Sequence, residues 1–170
     1  MTTDNLSDTA RPNHVRPFGR VCVVGAGAWG TALASTLAQT GVDTCIWGRC
    51  ARTIDDINRN HTNTAYLPGV ELPETLSADV SMQAALEGAD AVMIVVPSTA
   101  VRTTAQQVAR YIAPGIPVAV CAKGVEEETG MLMAQVIHQE LGNRPIGCVS
   151  GPTFARETAL RHPTAAVVAF

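Results

Sequence analysis

The sequence is poor in aromatic side chains, at 4% of 170 residues, and it holds a single lysine, Lys123, among 12 basic residues. Charged residues make up only 16%, and the balance leaves a net charge of −3. A chain with no basic surplus has no electrostatic grip on a phosphate backbone, so nucleic acid is not an expected partner. Long hydrophobic runs are missing as well. The longest strongly apolar stretch, 91–96, falls far short of the roughly 18 residues that a membrane-crossing helix needs, so no membrane span is expected. Cysteine is sparse and unpatterned: the five residues include no C-x-x-C pair. Four of them, Cys22, Cys45, Cys121 and Cys148, sit in apolar runs, as small buried hydrophobes of a reducing compartment do. The four histidines are too scattered to share an ion, and no metal is expected.

What is present points to one ordinary folded domain. Hydrophobic residues reach 46%, which excludes intrinsic disorder. A chain of this length carries about one domain and buries roughly 70% of its unfolded surface. Residues 1–18 are polar, contain Pro12 and Pro17, and lack the apolar core of a signal peptide. Asp4 and Asp8 argue against an acid-poor transit peptide. A disordered tail and a cytoplasmic location are therefore expected.

From residue 19 to 170, short apolar runs alternate with stretches of helical period, which predicts βαβ units and a doubly wound, mostly parallel sheet with helices on both faces. Strands are expected at 20–24, 44–47, 77–80, 91–96, 117–122, 146–150 and 165–169. Helices are expected at 29–40, 52–60, 81–87, 99–111 and 129–141. The runs AVMIVV and VAVCA are apolar almost throughout, as strands covered on both faces should be. In the first helix Leu33, Ala34, Leu37 and Ala38 make an apolar stripe. The 60–73 stretch, with Pro68-Gly69 and Pro73, reads as the one long irregular connection.

The most specific local signal is Gly25-Ala26-Gly27-Ala28-Trp29-Gly30, which closes the first strand and opens the first helix. In that context G-x-G-x-x-G is a dinucleotide-binding fingerprint. The first glycine permits a tight turn, the second lets backbone approach a pyrophosphate, and the third lets helix pack closely on strand. Unpaired amides and the helix dipole then face the anion, with Ala28 and Trp29 on the cofactor side. A carboxylate at the end of the second strand would hold the ribose hydroxyls of NAD(H). Here that end reads Trp47-Gly48-Arg49-Cys50-Ala51-Arg52. An arginine suits a ribose 2′-phosphate, so NADP(H) is favoured with NAD(H) also admitted, unless Arg49 and Arg52 are simply solvated charges.

Three further strand ends fall where doubly wound sheets bind ligands. Pro97 either walls the nicotinamide or only stops its strand. Lys123 follows an apolar strand directly, which places its ammonium at the mouth of the crevice. Thr153, in Ser150-Gly151-Pro152-Thr153, either caps a short helix or offers its hydroxyl to a ligand.

Taken in order, GAGAWGTALA, NTAYLPGVELP, CAKGVEEETG and SGPTFARE resemble the amino-terminal domain of the bacterial-type NAD(P)-dependent glycerol-3-phosphate dehydrogenases, over nearly all of 20–170. The resemblance implies a reversible hydride transfer between NAD(P)H and dihydroxyacetone phosphate that yields sn-glycerol 3-phosphate for phospholipid synthesis. It implies cofactor contacts at Ala28, Trp29, Arg49, Lys123 and Ala155, and substrate contacts at Lys123, Gly151 and Thr153. The family's proton-transferring lysine and phosphate-holding arginine and asparagine belong to a helical second domain that these 170 residues lack. Nothing here substitutes for them, so the expectation is a chain that binds cofactor and turns over little. The competing readings are a stand-alone dinucleotide sensor and a related dehydrogenase acting on 6-phosphogluconate or a 3-hydroxyacyl-CoA. Apolar surface left at the end of the sheet favours association, so a homodimer is among the expectations.

Overall fold

The structure, a computed structural model, describes residues 18–170. The tail expected over 1–18 falls, up to residue 17, outside the described residues. Seven strands form one sheet: β1 (Arg20–Val24), β2 (Asp43–Trp47), β3 (Ser77–Asp79), β4 (Ala91–Ile94), β5 (Val118–Val120), β6 (Ile146–Ser150) and β7 (Val167–Ala169). Their order is β3-β2-β1-β4-β5-β6-β7. All pairings are parallel except the last, in which β7 runs antiparallel to β6. The helices are α1 (Ala28–Gln39), α2 (Ala51–Asn60), α3 (Met82–Leu86), α4 (Val101–Val108), α5 (Met133–Leu141) and α6 (Ala155–Ala159). This is the doubly wound α/β fold that the alternating pattern predicts. The chain first builds leftward from β1 and then returns to place β4 on its other side, so the topological switch point lies between β1 and β4.

Strand side chains alternate between faces, and each central strand feeds two separate cores. On one face Cys22, Val24, Val92, Ile94, Val118 and Val120 pack beneath α3, α4 and α5. On the other, Val21, Val23, Ile46 and Ala91 pack with α1, Ile54 and Ile57 of α2, and Leu67, Val70 and Leu72 of the long connection. That connection is irregular, as expected, yet it is core material. Truncating a fully buried member such as Ile57 to alanine costs about 2–5 kcal/mol.

Several expectations are corrected. In α1 the buried side chains are Thr31, Ala32, Ala34, Ser35 and Ala38, so of the expected stripe Ala34 and Ala38 are buried while Leu33 and Leu37 are only half-buried. The helix lies close to its neighbours, and small side chains are what fit there. The helix expected at 99–111 begins as a 3-10 turn over Ser98–Ala100 and ends at Val108. The one expected at 129–141 starts only at Met133, because residues before it close a tight loop: the Glu126 amide donates to the Met131 carbonyl at 2.9 Å, and Gly130 turns at φ +69°. Cys22, Cys45 and Cys121 are buried, but Cys148 is exposed. It lies on the open face of β6, beside Ser150, while Gly147 and Val149 point inward.

Candidate functional site

At the β1/β4 switch point the glycine loop is locked by backbone. The Gly25 amide donates to the Trp47 carbonyl at 2.9 Å, extending the β1/β2 ladder. Its φ is +131°, and a Cβ there would meet the Val95 carbonyl oxygen at 2.1 Å. A Cβ on Gly30 would stand 1.9 Å from the Gly25 carbonyl oxygen. Gly30 is therefore bare because α1 packs directly beneath the loop. Gly27 is the opposite case: nothing lies within 4 Å of a Cβ built on it. It occupies the N-cap of α1 with no side-chain cap, so the amides of Ala28 and Trp29 are left to face outward.

The loop opens on a cleft of about 550 Å³. Gly25, Gly27, Arg49, Tyr66 and Pro97 line it, as does Trp47, whose indole N–H is tied to the Val80 carbonyl at 3.0 Å. Arg49 is exposed at the end of β2, while Arg52 faces a neighbouring groove along α2. A second recess of about 170 Å³ gathers Trp29, Cys121, Lys123, Gly151 and Thr153. The Lys123 ammonium donates to the Gly151 carbonyl at 3.4 Å. Trp29, Lys123, Gly151 and Thr153, scattered in sequence, thus share one recess. Ala28 and Ala155 line neither; they are the first residues of α1 and α6. The N-cap of α6 is Phe154, so Thr153 does not cap it.

The loop that carries Lys123 is anchored from α4. Arg102 grips Glu126 through Nε at 2.7 Å and Nη2 at 2.6 Å, and it also pairs with Glu140 of α5. The Arg102 hydrogen bond, followed by that of Thr129, holds the Glu126 carboxyl down at about 2. Burial pushes the Cys22 and Cys121 thiols up to about 12. The Cys50 thiol, hydrogen-bonded to Thr53 at the start of α2, lies below its ordinary value. Among the described residues, no helix is long and apolar enough to cross a membrane, and no group of three or more His, Cys, Asp or Glu could hold a metal ion.

Residues 20–170 match the family model described as NAD-dependent glycerol-3-phosphate dehydrogenase N-terminus. The chain belongs to this family. It is 45% identical over 153 residues to the glycerol-3-phosphate dehydrogenase [NAD(P)+] of Anaeromyxobacter dehalogenans, covering 88% of this chain and 46% of that protein. It is 42% identical over 149 residues to the enzyme of the same name from Chelativorans sp., with the same coverage of both. Among solved structures, the Coxiella burnetii glycerol-3-phosphate dehydrogenase superposes with a TM-score of 0.83 at 34% identity, covering 88% of this chain and 46% of that one. The chain spans about half the length of the curated relatives it matches.

Two residues that line this family member's cleft, Gly48 and Tyr66, and one buried behind it, Asn63, are not legible in its sequence. A Cβ on Gly48 would lie 2.7 Å from the Ala26 Cβ, so the turn after β2 must be bare for the two loops to meet. Its only signal is a glycine directly after an apolar strand. Tyr66 and Asn63 come from the irregular connection. Asn63 is fully buried, and its amide nitrogen donates to the Ala26 carbonyl at 3.0 Å and to Thr31 Oγ1 at 2.7 Å.

Proposed function

We propose that this chain is the dinucleotide-binding part of a glycerol-3-phosphate dehydrogenase, that it holds NADP(H) in preference to NAD(H), and that it serves the reversible reduction of dihydroxyacetone phosphate to sn-glycerol 3-phosphate in phospholipid synthesis. The observation that carries the reading is the glycine loop at the switch point, with Gly27 bare toward a cleft of about 550 Å³. Its cradle fits the cofactor: side chains are excluded where the loop packs inward and absent where an anion would approach.

In this reading the amides of Gly27, Ala28 and Trp29 take the pyrophosphate, helped by the positive end of α1. Arg49 pairs with the 2′-phosphate, and Pro97 walls the nicotinamide. Lys123 and Thr153 offer an ammonium and a hydroxyl to the substrate, Gly151 lets it approach the backbone, and Ala155 borders the cofactor. Bound there, the reduced nicotinamide supplies a hydride to the substrate's carbonyl carbon while the oxygen takes up a proton. We assign that proton transfer, and the grip on the substrate phosphate, to residues outside this chain. General acid-base help is worth about 10²–10⁴ in rate, so this chain alone binds cofactor and turns over little. A sensor has no use for Lys123, Gly151 and Thr153 in one recess, which favours the enzyme over a regulatory module. The exposed β7 and Phe170 support a homodimer, and the buried free thiols support a cytoplasmic setting.

Trp29 and Trp47, the two tryptophans, report on the two recesses. Titration with NADPH and NADH should quench their emission saturably, with NADPH the tighter, and Arg49→Ala should erase the difference by weakening NADPH about tenfold. Tighter binding of NADH would overturn the preference, and no quenching by either would overturn the cofactor site.

A further inference from the structure

The Ala26–Gly27 peptide is trans, as are all described peptide bonds. In a planar trans peptide the C=O and the N–H point in opposite directions. The Ala26 carbonyl is turned inward, and among the described residues its donor is the Asn63 side chain, at 3.0 Å. The second hydrogen of the same amide goes to Thr31 Oγ1 at 2.7 Å, and Asn63 Oδ1 accepts from the Tyr66 amide at 3.3 Å. Asn63 and Thr31 are both 0% exposed. The asparagine is therefore fully used, and its orientation is fixed by a donor side that faces two oxygens and an acceptor side that faces an N–H. With the Ala26 carbonyl held inward, the Gly27 N–H points outward, where it donates to no described residue. Nothing stands within 4 Å of the Cβ direction of the same glycine.

We infer that Asn63 is a positioning residue for the cofactor: by holding the Ala26 carbonyl inward, it aims the Gly27 N–H at the pyrophosphate. This rests on the cofactor site proposed above. The orientation counts twice, because a flipped peptide would withdraw a donor from the anion and present a carbonyl oxygen to it instead. Aspartate at position 63 tests this directly. It keeps the shape and the acceptor for Tyr66 but loses both donor hydrogens and sets a carboxylate against the Ala26 carbonyl.

The experiment follows binding of NADPH and of adenosine 2′-monophosphate, which lacks the pyrophosphate, by tryptophan emission and competition. Asn63→Asp should weaken NADPH by roughly tenfold or more while changing the monophosphate by less than about twofold. Thr31→Val, which spares the Asn63–Ala26 bond, should lower the melting temperature yet keep NADPH affinity within about threefold. Equal weakening of both ligands by Asn63→Asp would reduce the residue to a structural one, and unchanged NADPH binding would overturn the inference while leaving the cofactor site standing. Failure of the wild-type chain to bind NADPH would overturn both. If Asn63→Asp does not fold, the Gly27 amide resonance of the wild-type chain decides: it should move on saturation with NADPH and stay with the monophosphate, and a resonance unmoved by NADPH contradicts the inference.

Discussion

The two ends of the candidate site are built differently. The glycine-loop end is made of backbone: a Cβ on Gly25 or Gly30 would strike a carbonyl oxygen, Gly48 abuts Ala26, and Asn63 reaches in from a buried position to hold the loop. The Lys123 end is made of side chains on open strand ends. Lys123 is exposed and makes one long contact, at 3.4 Å. At this end of β6, Val167, paired with Ser150, and Phe154, next to Thr153, are 66% and 71% exposed. Rigid backbone suits a ligand moiety that never changes, the pyrophosphate. A mobile ammonium in an open recess suits a group that still needs other surfaces to define it. Under the proposed function, the glycine-loop end is thus preorganised for the dinucleotide, and the Lys123 end is only furnished for the substrate.

That contrast can be broken most severely at Gly30. Gly30→Ala forces a Cβ to within 1.9 Å of the Gly25 carbonyl oxygen, and such overpacking costs about 3 kcal/mol. Denaturant unfolding should show the loss, and a variant as stable as the wild type would mean that the loop is softer than described. A smaller effect is expected at the other end. Arg102→Ala frees Glu126 and loosens the loop bearing Lys123. Glu126 is held at about 2 against an ordinary value of 4.5. Its folded value is depressed, so the stability it adds is present above pH 4.5 and is lost as pH falls toward 2. The stability gap between wild type and variant should therefore close across that window, and a gap independent of pH would sink the assignment. The smallest effect concerns two thiols, one in each recess. Cys50, lowered by Thr53, should react with a maleimide faster than Cys121, which burial pushes up to about 12. Equal rates would remove this chemical distinction between the ends.

Much of this was legible in the sequence because it is local. The bounds of β1 and β6 coincide with apolar runs, and the spacing of the three glycines contains the turn, the approach and the packing they perform. Lys123, Gly151 and Thr153 could be placed together because all follow strands that end on the same edge of a parallel sheet. What escaped was contact across sequence distance. Asn63 stands 37 positions from Ala26, in a stretch with no periodicity, and only folding shows that its amide supports the glycine loop. Cys148 misled for a related reason: an apolar run predicts burial only where both faces are covered, and β6 presents its Cys148 face to solvent.

If the proposed function holds, the pyrophosphate lies against the glycine loop, and the middle glycine is bare for the ligand and not for the fold. Calorimetric titration of NADPH into the wild-type chain and into Gly27→Ala, with melting curves for both, tests it most directly. Nothing lies within 4 Å of the added methyl, so the account predicts an unchanged melting temperature together with a loss of affinity of about tenfold or more. A variant that melts early would place Gly27 among the packing glycines. One that binds NADPH like the wild type would contradict the claim that the pyrophosphate lies against this loop.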